Sequence, residues 1–141
     1  MADEIRLTPI GRIRTPFQTL AECPKWPNPD GPPARIELQE QYLPGLLGLT
    51  ERAGQTTGEI DVLYWFDRAP RDLLISTRPH DGITRGVFAM RSPHRPNPIA
   101  VSRVPLFSID GNVLTVGALD CLDGTLLLDI KPAPRDEPQP H

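Results

Sequence analysis

The chain has 141 residues, of which 38% are hydrophobic and 23% charged, with a formal net charge of -3. This is the length of about one domain with enough apolar content for a core, so wholesale disorder is excluded. No stretch approaches the ~20 apolar residues of a membrane span, and an acidic start at Asp3 and Glu4 is unlike a signal peptide. We therefore expect a soluble, cytoplasmic protein.

Short strands joined by loops are predicted for the first half of the chain, because eighteen prolines in the sequence disfavour long helices. Alternating apolar residues predict a first strand within 4–14 and a second at 34–38. Residues 16–33 are rich in turn-forming residues and predict a long loop, and 39–47 predict a short helix. The β-branched and aromatic run 59–66 predicts a strand buried on both faces.

The second half predicts a hairpin and further short strands. Buried strands are expected at residues 73–77 and 86–90, and further strands at 99–107, 113–119 and 126–130. Asp110, Gly111 and Asn112 supply the turn chemistry of the hairpin. We predict a mainly all-β fold, a compact β-barrel of about seven short strands with at most one or two short helices. A single domain would occupy residues 1–132, with a flexible proline-rich tail at 133–141.

Positive charge is concentrated in residues 78–103, which hold five arginines and two histidines against one acid, Asp81. The rest of the chain is acidic, so this segment predicts an anion-attracting face. Prolines stiffen the segment, and a stiff loop that presents arginine, histidine and asparagine is typical of a preorganised site. A solvated, proline-rich loop is the alternative interpretation.

Few other residues are candidates for catalysis, ligand binding or metal binding. Asp120 and Asp123 lie in a turn, where they either serve turn geometry or offer carboxylates to a cationic group. The histidines lack the spacing of metal ligands, so no metal site is predicted. Cys23 and Cys121 are too few for a disulfide framework, and we expect free thiols in a reducing compartment. Without a glycine-rich nucleotide motif, the residues alone predict an anion- or nucleotide-binding barrel.

Three motifs make the sequence recognisable. Residues 10–17 read IGRIRTPF, residues 86–102 read GVFAMRSPHRPNPIAVS, and residues 120–125 and 128–132 read DCLDGT and LDIKP. In this order they strongly resemble the opening strand, the signature and the closing signature of the TrmO family, also called TsaA-like or YaeB-like. The resemblance covers most of the chain.

This resemblance implies a β-barrel that binds S-adenosylmethionine without a Rossmann fold, at the interface of a homodimer. It implies a methyltransferase that acts on the exocyclic amine of threonylcarbamoyl-adenosine in tRNA. Carried over position by position, it places cofactor contacts at Pro24, Lys25, Trp26, Asp67, Arg68, Arg91, Val101, Leu122, Asp123, Gly124 and Thr125. The candidate catalytic carboxylates are Asp120 and Asp123, and the candidate acceptor-binding residues are Arg85, His94, Arg95 and Asn97.

The chain also departs from the family pattern. Residues 24–26 read PKW where the family commonly has PRQ, and residues 59–61 replace a frequent Ser-His pair with EID. From this resemblance we expect a short form without the extra C-terminal domain of the longer members that act on tRNA. Two alternatives follow: a methyltransferase with a small-molecule acceptor, and a non-catalytic module that binds S-adenosylmethionine or RNA.

Overall fold

The computed structural model describes residues 3–25, 28–54 and 58–134. It contains eight strands: β1 (Gly11–Arg14), β2 (Ala34–Leu38), β3 (Glu59–Trp65), β4 (Ile75–Thr77), β5 (Thr84–Gly86), β6 (Ile99–Asp110), β7 (Val113–Val116) and β8 (Thr125–Pro132). Its helices are short: α1 (Leu49–Gly54) and 3-10 helices at Leu20–Glu22, Glu40–Leu46 and Val87–Ala89. The prediction of a mainly β fold is confirmed. Within the described ranges, no helix is long and apolar enough to cross a membrane.

Six strands close into an antiparallel barrel in the order β1-β2-β7-β6-β3-β8, with β8 returning to β1. The strands β4 and β5 form a separate two-stranded sheet outside this ring. Close approach between β1 and β2 requires glycine at position 11, because a Cβ there would lie 2.3 Å from the carbonyl oxygen of Glu37. Closure removes the free strand edges that would otherwise invite pairing with other chains.

The barrel interior is filled by alternate residues of its strands. In β3, Ile60, Val62 and Tyr64 are buried, whereas the alternate residues Leu63 and Trp65 are partly exposed. The prediction that this strand is buried on both faces is therefore wrong, because a closed barrel has one inner and one outer face. The core includes Ile13, Ile36, Val104, Leu114, Val116 and Leu127 from the other five strands of the ring.

The predicted hairpin is confirmed in β6 and β7, whose pairing has one register shift between Leu106 and Ser108. β6 and β7 pair with Asp110 opposite Val113, so Gly111 and Asn112 form a two-residue turn. Gly111 has φ of +59°, a left-handed conformation that glycine adopts without strain. The Asn112 side chain donates to the carbonyl of Leu38 at 2.9 Å, which joins the turn to the neighbouring strand β2.

Some predicted elements differ from the structure. Residues 86–90 are not a strand: Val87–Ala89 is a 3-10 helix, closed by a hydrogen bond from Met90 N to Val87 O. The strand at 73–77 shortens to β4 and is exposed rather than buried, because it pairs only with β5. The helix predicted at 39–47 is of 3-10 type, with Pro44 inside it. The predicted tail begins at a buried residue, Ala133, and lies outside the described residues from 135 onward.

One end of the barrel collects the long connections. Trp65 at the end of β3 faces Ile99 at the start of β6, so segment 66–98 leaves and re-enters the barrel at the same end. Ile13 near the end of β1 faces Thr125 at the start of β8, which adds the segments 15–33 and 117–124 to that end. The topology therefore brings together the parts of the sequence that carry the three motifs.

The core predicts a clear stability contrast between two leucines. Leu114 is fully buried, so Leu114→Ala leaves a cavity in the barrel and should lower the free energy of unfolding by about 2–5 kcal/mol. Leu47 is 93% exposed, so Leu47→Ala should change the free energy of unfolding by less than about 0.5 kcal/mol. Urea unfolding followed by circular dichroism measures both. Equal losses for the two variants would contradict the burial pattern.

Candidate functional site

A cavity of about 1590 Å³ opens at the end of the barrel where the long connections meet. Its walls come from residues 20–25, 64–69, 88–102 and 120–125, with Arg78 and His80 added from the β4–β5 hairpin. Ligand pockets for small molecules are typically about 300–1,000 Å³. The cavity therefore has room for a nucleoside-sized molecule together with part of a second reactant.

The cavity is strongly positive within an acidic protein. Two carboxylates lie in its lining, those of Asp67 and Asp120. The permanently positive side chains in the lining are those of Lys25, Arg68, Arg78, Arg91 and Arg95. Walls with one dominant sign of charge focus the electric field and raise the local concentration of anions. The charge segregation expected from the sequence is thus present around a cavity.

Most of the cofactor contacts expected from the resemblance line this one cavity. They are Pro24, Lys25, Asp67, Arg68, Arg91, Val101, Leu122 and Thr125. Arg91 and Val101 also contact each other, since Arg91 Nη2 donates to the Val101 carbonyl at 3.3 Å. Trp26 lies outside the described residues. Asp123 and Gly124 do not belong to the lining.

Asp123 instead holds the closing turn against the first strand. Its Oδ1 accepts a hydrogen bond from Thr15 N at 3.1 Å, and its Oδ2 lies 3.7 Å from Arg14 Nη1. The neighbouring Gly124 N donates to the Ile13 carbonyl at 2.8 Å, and Gly124 adopts φ of +83°. The geometry places the carboxylate of Asp123 in the turn, where it fixes Leu122 and Thr125 at the cavity wall.

Asp120 is the expected catalytic carboxylate that does line the cavity. It is partly buried between Leu119 and Cys121, and its Oδ1 accepts a hydrogen bond from the Tyr64 hydroxyl at 2.9 Å. That hydroxyl also lies 2.8 Å from Ser102 Oγ. Because Tyr64 gives its one proton to the carboxylate, Ser102 donates to Tyr64. No hydrogen bond or ion pair within residues 3–25, 28–54 and 58–134 reaches Oδ2 of Asp120.

Burial and the charge of Asp120 affect the groups around this carboxylate. Burial raises the pKa of the Tyr64 hydroxyl, and the negative charge of Asp120 raises it further. Burial raises the pKa of the Cys121 thiol to about 12, as is typical of a buried, unreactive thiol. The pKa of the Cys23 thiol is also raised, first by burial and then by Asp120. Tyr64 thus remains a neutral hydrogen-bond donor at physiological pH.

The expected acceptor-binding residues divide into two groups. His94, Arg95 and Asn97 line the cavity, whereas Arg85 does not and forms an ion pair with Asp81 at 3.1 Å. Arg95 also donates to the carbonyls of its own loop, those of Met90 at 3.0 Å and Ser92 at 3.3 Å. Arg95 therefore stabilises the loop as well as adding charge to the cavity wall.

Arg71, which no sequence motif indicated as functional, holds the proline-rich loop in place. Its Nε donates to the Pro96 carbonyl at 2.8 Å, and its Nη2 donates to Asn97 Oδ1 at 3.1 Å. Its guanidinium carbon lies 5.4 Å from the centroid of the Trp65 ring, a distance at which a cation and an aromatic face attract. The loop is thus joined to the end of β3.

No group of three or more histidine, cysteine, aspartate or glutamate side chains that could hold a metal ion occurs in the described part of the chain. Cys23 and Cys121 are both free thiols. A second, smaller cavity of about 560 Å³ lies between the Glu40–Leu46 helix, α1 and β8 and is mainly apolar. The charged, polar chemistry is therefore concentrated in the larger cavity.

Comparison with known proteins gives consistent results. A family model described as the tRNA-methyltransferase O N-terminal domain matches residues 12–136. The chain is 42% identical over 128 residues to a probable S-adenosyl-L-methionine-binding protein of Archaeoglobus fulgidus, covering 91% of this chain and 34% of that protein. It is 44% identical over 61 residues to the tRNA (adenine(37)-N6)-methyltransferase of Mus musculus, covering 42% of this chain and 14% of that protein.

A solved structure has the same fold. The crystal structure of TrmO from Pseudomonas aeruginosa matches with a TM-score of 0.71 at 33% identity, over 93% of this chain and 56% of that one. The chain therefore spans about a third of the Archaeoglobus relative and a little over half of the solved structure.

Proposed function

We propose that this chain, which belongs to the TrmO family, is an S-adenosylmethionine-dependent methyltransferase. The observation that carries the proposal is the cavity in which Arg91 and Asp120 line the same space. S-adenosylmethionine contains a carboxylate, a sulfonium cation and an adenosine, so it suits a wall with cations, carboxylates and apolar cover. The residues present fit this group: Arg91 and Lys25 offer cations, Asp120 a carboxylate, and Leu122 and Met90 apolar surface.

The chain's own residues would position the reactants and take up a proton. Arg91 and Lys25 would hold S-adenosylmethionine, which would supply an electrophilic methyl group, with sulfur as the leaving atom that keeps the bonding electron pair. The acceptor nitrogen loses its proton as its electron pair forms the new bond to carbon, and Asp120 Oδ2 takes that proton. A positioned carboxylate that accepts a proton contributes typically about 10²–10⁴-fold to rate. The proline-stiffened loop and the closing turn hold the approach geometry.

As the acceptor we propose the exocyclic amine of threonylcarbamoyl-adenosine in tRNA. The excess of cations in the cavity wall suits phosphates and the carboxylate of the threonyl group. His94 and Arg95 lie in the wall and are positioned to meet such an acceptor. The mouse relative, which matches 42% of this chain, is a methyltransferase of a tRNA adenine, and this supports the same base here. The free thiols fit a reducing compartment, and we place the protein in the cytoplasm.

We further propose a homodimer with the cavity at its interface. The outer face of β6 exposes Ile99, Val101 and Phe107, and Phe88 nearby is 79% exposed. Exposed apolar surface of this kind is typical of protein interfaces. Ile99, Val101 and Phe88 also line the cavity, so a second copy seated on this surface would border the site.

Calorimetric titration with S-adenosylmethionine tests the cofactor site through two arginines. Arg91→Ala should weaken binding at least about tenfold, because a charge-assisted contact to the cofactor carboxylate is lost. Arg85→Ala is the matched control and should change affinity by less than about twofold, since Arg85 lies outside the cavity and pairs with Asp81. Equal effects of the two variants, or no binding by the native protein, would contradict the assignment.

The acceptor is tested with a short anticodon stem-loop RNA carrying threonylcarbamoyl-adenosine. Mass spectrometry should detect the gain of one methyl group, at a rate that falls steeply with salt. Asp120→Asn keeps the oxygen that accepts from Tyr64 but takes no proton, so the rate should fall about 10²-fold. Asp129→Asn, at an exposed position, is the control and should retain activity. Cofactor binding without RNA methylation would favour a small-molecule acceptor or a non-catalytic module.

Light scattering after size exclusion tests the dimer. The native protein should elute with the mass of two chains, and Phe107→Glu should shift it toward one chain, because a charge is placed in the apolar surface. Leu47→Glu adds the same charge to a leucine that is 93% exposed on another face and should leave the dimer intact. A native protein with the mass of one chain would refute the proposed assembly.

A further inference from the structure

Two buried hydroxyl groups lie behind Asp120 and have no part in the function proposed above. Tyr64 is 1% exposed and Ser102 is 9% exposed, both inside the barrel wall at the cavity end. They belong to neighbouring strands, where Tyr64 of β3 lies opposite Ala100 of β6, two residues from Ser102. Their hydroxyls form a chain of two hydrogen bonds that ends on the carboxylate of Asp120.

The direction of this chain follows from its proton count. Each hydroxyl has one proton, and the carboxylate has none to give when ionised. Ser102 donates to Tyr64 at 2.8 Å, and Tyr64 donates to Asp120 Oδ1 at 2.9 Å. Donors in series polarise one another, so the second bond is stronger than an isolated one. The chain also satisfies both buried hydroxyls, which would otherwise carry a desolvation penalty.

The ring of Tyr64 is itself held rigidly. It is packed in the core and contacts the Phe66 ring edge-on at a centroid distance of 5.4 Å. A donor on a rigid strand fixes the direction of its acceptor more closely than a donor on a loop. Asp120, by contrast, lies in the irregular segment between β7 and β8. Its carboxylate therefore takes its orientation from the strands through Tyr64.

We infer that Tyr64 and Ser102 are positioning residues that fix the carboxylate of Asp120 by its Oδ1, so that Oδ2 is presented to the acceptor proton. This inference rests on the proposed function. It assigns to two core residues a role in catalysis that burial and packing alone do not require. The groups that face Asp120 are Tyr64 from β3, Cys121 next to it in the chain, and Cys23 from the segment after β1.

The test compares Tyr64→Phe and Ser102→Ala with a matched control. Tyr64→Phe removes the hydroxyl and keeps the ring, and Tyr42→Phe is the same change at the chain's other tyrosine, which lines the smaller cavity. On the stem-loop RNA, Tyr64→Phe should lower kcat at least about tenfold and Ser102→Ala by less. The affinity for S-adenosylmethionine and the KM for RNA should change less than about twofold. If the two hydroxyls served only the structure, the variants would lose stability, and kcat would not fall selectively while KM and cofactor affinity stayed constant.

A second readout does not need an acceptor. In crystal structures, the Asp120 carboxylate should hold one orientation in the native protein, with Oδ1 on the Tyr64 hydroxyl, and should lose that orientation in Tyr64→Phe, because the donor is absent. Tyr42→Phe should leave the carboxylate in place. A native protein that methylates no RNA refutes the proposed acceptor, and the orientation of the carboxylate still decides the inference. An unmoved carboxylate in Tyr64→Phe, or an unchanged kcat in an active enzyme, would overturn it.

Discussion

Closure of the six-strand barrel is the constraint on which the site depends. With every strand of the ring bonded to two neighbours, the long connections have no route across the sheet and must leave at the barrel ends. The pairing of Trp65 with Ile99 and of Ile13 with Thr125 places three of them at the same end. The cavity is therefore a consequence of topology, and its chemistry is a consequence of which residues these connections carry.

The connections are held by contacts that leave few degrees of freedom. Arg71 joins the proline-rich loop to Trp65, and Asp123 joins the closing turn to the end of β1. Prolines fix φ within the loop and reduce the entropy that its ordering removes. The result is a preformed wall in which Arg91 is bonded to Val101 and Asp120 to Tyr64. Such preorganisation lowers the reorganisation needed when a ligand enters.

Local patterns in the sequence predicted those elements whose causes are local. The hairpin around Gly111 follows from turn chemistry between two alternating runs, and its turn lies within the residues that the sequence indicated. The strand at residues 34–38 follows from alternation. The 3-10 helix at Val87–Ala89 was missed, because its bond from Val87 N to Leu74 O connects residues that no local pattern relates. β-Branched and aromatic composition alone cannot distinguish the inner face of a strand from its outer face. For this reason the prediction that β3 is buried on both faces was wrong.

The candidate site was predictable only in part. The motifs identified the segments that line the cavity, and eight of the eleven expected cofactor contacts lie in its wall. Motif position could not separate Asp120, which faces the cavity, from Asp123, which bonds to Thr15 and Arg14. Tyr64 has the appearance of any core residue in an alternating strand, since its role depends on a bond to a residue 56 positions away. Such long-range contacts require the fold.

The most direct test is a crystal structure of the protein with S-adenosylhomocysteine. The account predicts the ligand in the large cavity against Arg91 and Leu122, with its sulfur nearer to Asp120 than to Asp67, the other carboxylate of the wall. That arrangement would leave Oδ2 of Asp120 beside the point where a methyl group is transferred. A ligand seated in the smaller cavity, or a sulfur directed away from Asp120, would contradict the account.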